Sequence, residues 1–210
     1  MLVLSQPAAA GIAHVQSVGG TGTSSGTAVT FPAFPAIGSG HTVVGLLLFH
    51  NTTNTVTSIV SGANTYNTFD YLLFGGTGYS AIAFALHGIV GNPTTITVNF
   101  SAAPAGTDHY LGFSEYSGAS AVAQHAANND VSAGTTLAMS VTTTVPGSTV
   151  WTAVNNSAAT TPAGGWTRRL TDATDNMSTA DILQSVAGAI TATWTFPSTS
   201  VAGEIIALSP

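Results

Sequence analysis

The chain is predicted to be all-β: an antiparallel jelly-roll β-sandwich made of two pseudo-repeated Greek-key halves. Three observations predict it. Apolar residues recur at every second position in several segments, glycine and proline turn signals separate those segments, and the order of features in residues 42–116 returns in residues 149–208.

The alternation is cleanest in residues 94–101, where Ile96, Val98 and Phe100 share one face and Thr95, Thr97 and Asn99 the other. Side chains of a strand alternate between two faces, whereas a helix repeats every 3.6 residues, so the pattern specifies a strand with one wet and one buried side. Residues 190–196 do the same, with Ile190, Ala192, Trp194 and Phe196 against Thr191, Thr193 and Thr195. Residues 41–50 differ. Val43, Val44, Leu46, Leu47, Leu48 and Phe49 put apolar groups on both faces, which predicts a central strand covered on both sides, or one with a face in a subunit contact. Residues 149–154 and 201–208 are milder versions.

Further strands are predicted at 12–17, 27–34, 56–61, 66–73, 79–87, 109–116 and 136–144. Gly19-Gly20, Gly38-Ser39-Gly40, Gly75-Gly76, Gly91-Asn92-Pro93, Pro146-Gly147 and Gly164-Gly165 punctuate them. The Ala-rich stretch 119–128 is predicted to form a turn or two of helix. Residues 178–187 carry helical spacing at Ile182, Leu183 and Val186, but the repeat favours a strand. In that repeat Val43–Phe49 corresponds to Val150–Val154, Tyr66 to Trp166, Ile96–Phe100 to Ala192–Phe196, and Leu111–Tyr116 to Gly203–Leu208. One sandwich domain over residues 12–210 is expected, preceded by an arm at residues 1–11 in which Leu2, Val3 and Leu4 contact a partner subunit or, alternatively, Leu2 and Leu4 add a first strand to the chain's own sheet.

Charge narrows the function. Hydrophobic residues make up 44% of the 210, enough for a core, but only 5% are charged, against about a quarter in an ordinary globular chain. Arg168 and Arg169 are the only basic residues apart from histidine, and the net charge is −6. Nucleic-acid binding and anionic-membrane binding both need Lys and Arg, so neither is expected. No cysteine is present, which excludes disulfides and thiolate metal sites. The start Met1–Pro7 has no basic, then long apolar, export pattern. A charge-poor, association-prone surface without an export signal is expected in a particle released by lysis.

The segment Thr94–Ser101, followed by Gly112-Phe113-Ser114-Glu115-Tyr116-Ser117-Gly118, resembles a class of uncharacterised bacterial and phage jelly-roll β-sandwich proteins with an E-Y-S-G strand motif. Thr193–Phe196 and Ala202–Leu208 resemble its closing strands. The resemblance implies a phage virion structural protein or a bacterial surface or carbohydrate-associated protein, and it supplies no catalytic residue.

Chemistry-bearing patterns are sparse, and no enzymatic activity is expected. Ser80 and Ser114 do not complete a Gly-x-Ser-x-Gly elbow. The carboxylate pairs Asp172/Asp175 and Glu115/Glu204 are the candidates for acid–base work, but the first sits in a turn-like loop and the second on apolar strands. Loop Asp172 and Asp175 are also candidates for calcium. The histidines at 14, 41, 50, 87, 109 and 125 show no ligand spacing, so neither a metal nor a cofactor is expected. Trp166, next to Arg168 and Arg169, is the candidate exposed ligand contact.

These readings predict a capsid decoration (cement), head-fibre or tail component in a virion, working as a homo-oligomer through contacts with other virion proteins. The alternative is a carbohydrate-binding module with a glycan as partner.

Overall fold

The computed structural model describes residues 11–50, 54–73, 78–104, 109–130, 134–156, 158–173, 177–197 and 200–210. Leu2, Val3 and Leu4 of the expected arm, and Asp175, lie outside them. Among the described residues the secondary structure is strand and turn, with no helix.

The first half contains β1 (Ala13–Thr21), β2 (Thr23–Ser25), β3 (Ala28–Thr30), β4 (Thr42–His50), β5 (Val56–Ser61), β6 (Asn64–Thr65), β7 (Asn67–Leu73), β8 (Tyr79–His87), β9 (Thr97–Phe100) and β10 (His109–Ser117). They make an inner sheet in the order β1-β10-β4-β8-β7 and an outer sheet in the order β2-β3-β9-β5-β6. The second half contains β11 (Ala121–Asp130), β12 (Thr136–Thr143), β13 (Ser148–Val154), β14 (Thr167–Asp172), β15 (Met177–Gln184), β16 (Gly188–Thr195) and β17 (Val201–Ser209). Its inner sheet runs β11-β17-β13-β15-β14 and its outer sheet is the pair β12-β16.

The two inner sheets repeat strand for strand. Both place the first strand of their half beside the last, and both carry a bulge there, at His14/Gln16 and at Val122/Gln124. In the outer sheets β3 pairs with β9 as β12 pairs with β16. The pairing of β5 with β9 is reduced in the second half to a single bridge, Thr160 to Thr195. Each half therefore has the strand order of a jelly roll in its own right. The repeat is wider than 42–116 and 149–208, because β1 and β3, and β11 and β12, belong to it. What the sequence pattern presents as two Greek keys is a pair of sandwiches stacked through their inner sheets.

Three cores follow from this layering. Val43, Leu47, Phe84, Val98, Phe100 and Phe113 fill the first sandwich. Leu137, Val150, Trp166, Trp194, Phe196 and Ile205 fill the second. Val44, Leu46, Ala83, Trp151, Met177 and Ile206 fill the seam between the inner sheets. Because β4 has a core on each side, both of its faces are apolar and all but its last residue are buried, as residues 41–50 predict. Phe100 and Phe196 occupy matching positions: the Phe100 N–H donates to Thr27 O at 2.8 Å and the Phe196 N–H to Thr135 O at 2.9 Å.

Residues 119–128 depart from the expected helix. Ala121–Asp130 is an edge strand on β17, with Val122 packed on the seam and Ala126 on the second core. A ready-made edge at β17 supplies the backbone partners, and tertiary pairing overrides the helix propensity of alanine.

Candidate functional site at the seam

Alanines stand between larger side chains in the seam. Ala81, Ala83 and Ala85 of β8 face Ala153 and Ala202 of the second half among larger neighbours. Gly112 of β10 marks the closest approach, since a Cβ there would stand 2.2 Å from Met177 Sδ. Polar groups then fasten the halves together. Trp151 Nε1 donates to Ser114 Oγ at 2.9 Å, Ser114 bonds Ser17 Oγ at 2.7 Å, and Ser17 bonds His14 Nε2 at 2.8 Å. Tyr116 donates its hydroxyl to Asp181 Oδ2 at 2.8 Å, and Arg169 Nε sits 2.9 Å from both Asp181 oxygens. Every partner in this chain of bonds is engaged, as buried polar groups require.

A second polar group lies at another edge of the seam and is not balanced in this way. Asp70 comes from the bulge of β7, His125 from β11 and Glu204 from β17. Asp70 has φ +48°, a left-handed conformation that aspartate tolerates better than most residues. His125 Nδ1 lies 2.5 Å from Asp70 Oδ2 and 3.9 Å from Glu204 Oε1. The Phe69 ring fixes the imidazole from one side, with centroids 4.5 Å apart. Glu204 is fully buried, and neither of its oxygens has a hydrogen-bond partner. Burial first, and the Asp70 carboxylate second, push its carboxyl up to about 10. His125 also borders a groove of about 420 Å³ lined by Gln124, Ser140, Val141, Thr142 and Ala189.

The structure separates the carboxylate pairs considered from sequence. Alternation on β10 turns Glu115 toward the first core with Leu111 and Phe113, while alternation on β17 turns Glu204 into the seam with Ile206 and Leu208. Glu115 is held by Gln16, by the Gly38 N–H at 2.7 Å and by His41 Nδ1 at 2.5 Å. Asp172 closes β14 beside Gly19 of β1. Ser80 is buried and accepts the Tyr71 hydroxyl at 3.0 Å.

The exposed contact expected at Trp166 is corrected. Trp166 is 9% exposed and packs in the second core, as its repeat partner Tyr66 does in the first. An aromatic at this strand start faces its own sandwich in both halves. Arg168 folds back with it: its guanidinium lies 5.6 Å from the Trp194 ring, and it donates to Thr161 and Thr171 Oγ1 at 2.6 Å each and to the Ala159 carbonyl. Arg169 is committed to Asp181. Asp70, His125 and Glu204 are spread over 135 positions and both halves, so no local spacing reveals them. The one hint is a glutamate inside the apolar strand Ala202-Gly203-Glu204-Ile205-Ile206.

No family model matches the chain, and no curated protein is similar to it. Among solved structures, the major capsid protein P2 of bacteriophage PM2 aligns over 92% of this chain and 96% of its own, at 11% identity and a TM-score of 0.25.

Proposed function

We propose that the protein is a structural component of a bacteriophage particle, a decoration, head-fibre or tail protein that acts by protein–protein contact and self-association. The observation that carries this reading is the apolar end of the second sandwich. Val145 is 41% exposed, Leu183 61% and Val186 71%. Val145 and Val186 sit on two neighbouring turns and Leu183 near the end of β15, and the Gly147 N–H to Gln184 O bond and the Thr143–Gly188 pair hold these segments together. Scattered exposed apolar residues are ordinary, but a cluster on a surface with almost no charge favours burial against a partner. The low charge and the E-Y-S-G resemblance support the same reading. The carbohydrate-binding alternative is weakened, since Trp151, Trp166 and Trp194 are all buried.

The test is to purify particles from a lysate of the source phage, identify their proteins by mass spectrometry and place this chain by cryo-electron microscopy. Stoichiometric presence on the particle is expected. Absence from purified particles overturns the proposal.

A further inference from the structure

Glu204 is a fully buried acid, kept uncharged by its surroundings unless a cation joins it. A buried carboxylate needs a cation or several hydrogen bonds, and this one has no hydrogen-bond partner. Asp70 beside it adds a second carboxylate. The sequence has two Lys and Arg residues in all, and both are used elsewhere, Arg168 over Trp194 and Arg169 on Asp181. The remaining neighbour is His125, which offers one nitrogen.

We propose that Asp70, His125 and Glu204 bind a divalent transition-metal ion of the zinc type, which clamps the first sandwich to the second. One imidazole nitrogen and two carboxylate oxygens form a donor set suited to such ions. The three ligand atoms lie within 4.8 Å of one another. Ligands about 2.1 Å from a tetrahedral ion stand about 3.4 Å apart. The 2.5 Å and 3.9 Å separations from His125 Nδ1 bracket that spacing, and His125 is exposed enough to shift between them. Asp70 belongs to the first half, and His125 and Glu204 to the second, so the ion joins the two sandwiches. This inference does not depend on the particle assignment.

The test uses the full chain, stripped with a chelator and titrated with zinc chloride. Calorimetry is expected to show one ion per chain, and thermal melts a rise of several degrees with zinc. His125→Ala, at an exposed position, is expected to fold and to lose more than about tenfold in affinity, since even outer-shell changes cost that much. Glu204→Gln is expected to lose zinc binding while melting no lower than the metal-free parent. His87→Ala, outside the cluster, is expected to bind like the parent. Absence of saturable binding by the parent, or equal binding by the parent and His125→Ala, overturns the proposal.

Discussion

In the first sandwich Val29 sits opposite Val98, beneath an outer sheet ordered β2-β3-β9-β5-β6. In the second the matching pair is Leu137 opposite Trp194, beneath β12 and β16 alone. The inner sheets agree in order and in the position of a bulge, so the difference is confined to the outer wall. Where the second half lacks strands, larger side chains replace them. Trp194 fills the volume, and Arg168 lies over its ring, bonded to Thr161 and Ala159 near the Thr160 bridge. The counterpart of Arg168 in the first half is the exposed Thr68, whose short side chain cannot reach over a ring in that way. The two correspond because each sits opposite the matching strand position, Ala180 and Phe84. A repeat can thus preserve topology while its core is closed by different means, since backbone pairing fixes strand order and packing needs only the right volume.

The largest effect that tests this comparison is at Trp194. Trp194→Ala should cost about 3–5 kcal/mol in denaturant unfolding, the range for a buried large aromatic. Val98→Ala should cost less, at most about 3 kcal/mol, because less apolar surface is removed. Equal losses at the two sites would mean that side-chain volume does not substitute for the missing strands. Phe100→Ala and Phe196→Ala, which the two halves treat alike, should both fall at about 3–5 kcal/mol.

Arg168 comes next. Arg168→Ala removes a cation over an aromatic ring and several hydrogen bonds, for an expected loss of about 2 kcal/mol. Lysine should not restore it, having no planar group to stack. Thr68→Ala, its counterpart, should stay within about 0.5 kcal/mol. Combining Arg168→Ala with Trp194→Ala should give less than the sum, because the two residues share one interaction.

The fold was largely legible because period two is a strong signal wherever one face is wet. Residues 56–61 and 79–87 are predicted at the limits observed for β5 and β8. The pairing of Ile96–Phe100 with Ala192–Phe196 located the repeat through two phenylalanines in equivalent places. Ala121–Asp130 was illegible because alanine-rich sequence carries helix propensity, and the partner that overrides it, β17, lies some eighty residues later. Trp166 and Arg168 looked like an exposed pair because local sequence cannot show that a neighbouring wall is thin. Asp70, His125 and Glu204 needed the stacking of two sandwiches to meet. The sequence pattern implies two similar halves but not which faces they share.

The seam offers a smaller, pH-dependent contrast. The residue preceding the bulge is His14 in the first half and Val122 in the second. Burial first, then the Arg169 charge, hold His14 below its ordinary value of 6.5, partly opposed by Asp181 and Glu115, with Tyr116 against its ring. The native state therefore binds this proton less readily than the unfolded chain. The stability it protects is present above about pH 6.5 and is lost as pH falls from there through the lowered native value. In urea titrations, His14→Val should reduce the loss on acidification relative to the parent. An unchanged pH profile would show that His14 does not sense the seam.

The smallest expected effect on folding is at Val90 and Val186, which hold the same position in the two halves and are 65% and 71% exposed. Replacing either with threonine keeps the branched shape and buries no new polar group, so each should shift stability by under about 0.5 kcal/mol. Their surroundings differ. The residue three before Val90 is His87, whereas Leu183 precedes Val186 at the matching place and Val145 stands on the adjoining turn. A lone exposed valine needs no partner, but three apolar residues together favour one. Sedimentation of the concentrated protein should therefore show weakened self-association for Val186→Thr and no change for Val90→Thr. Equal behaviour of the two variants would remove the apolar end from the contact surface and leave the two sandwiches different in their walls alone.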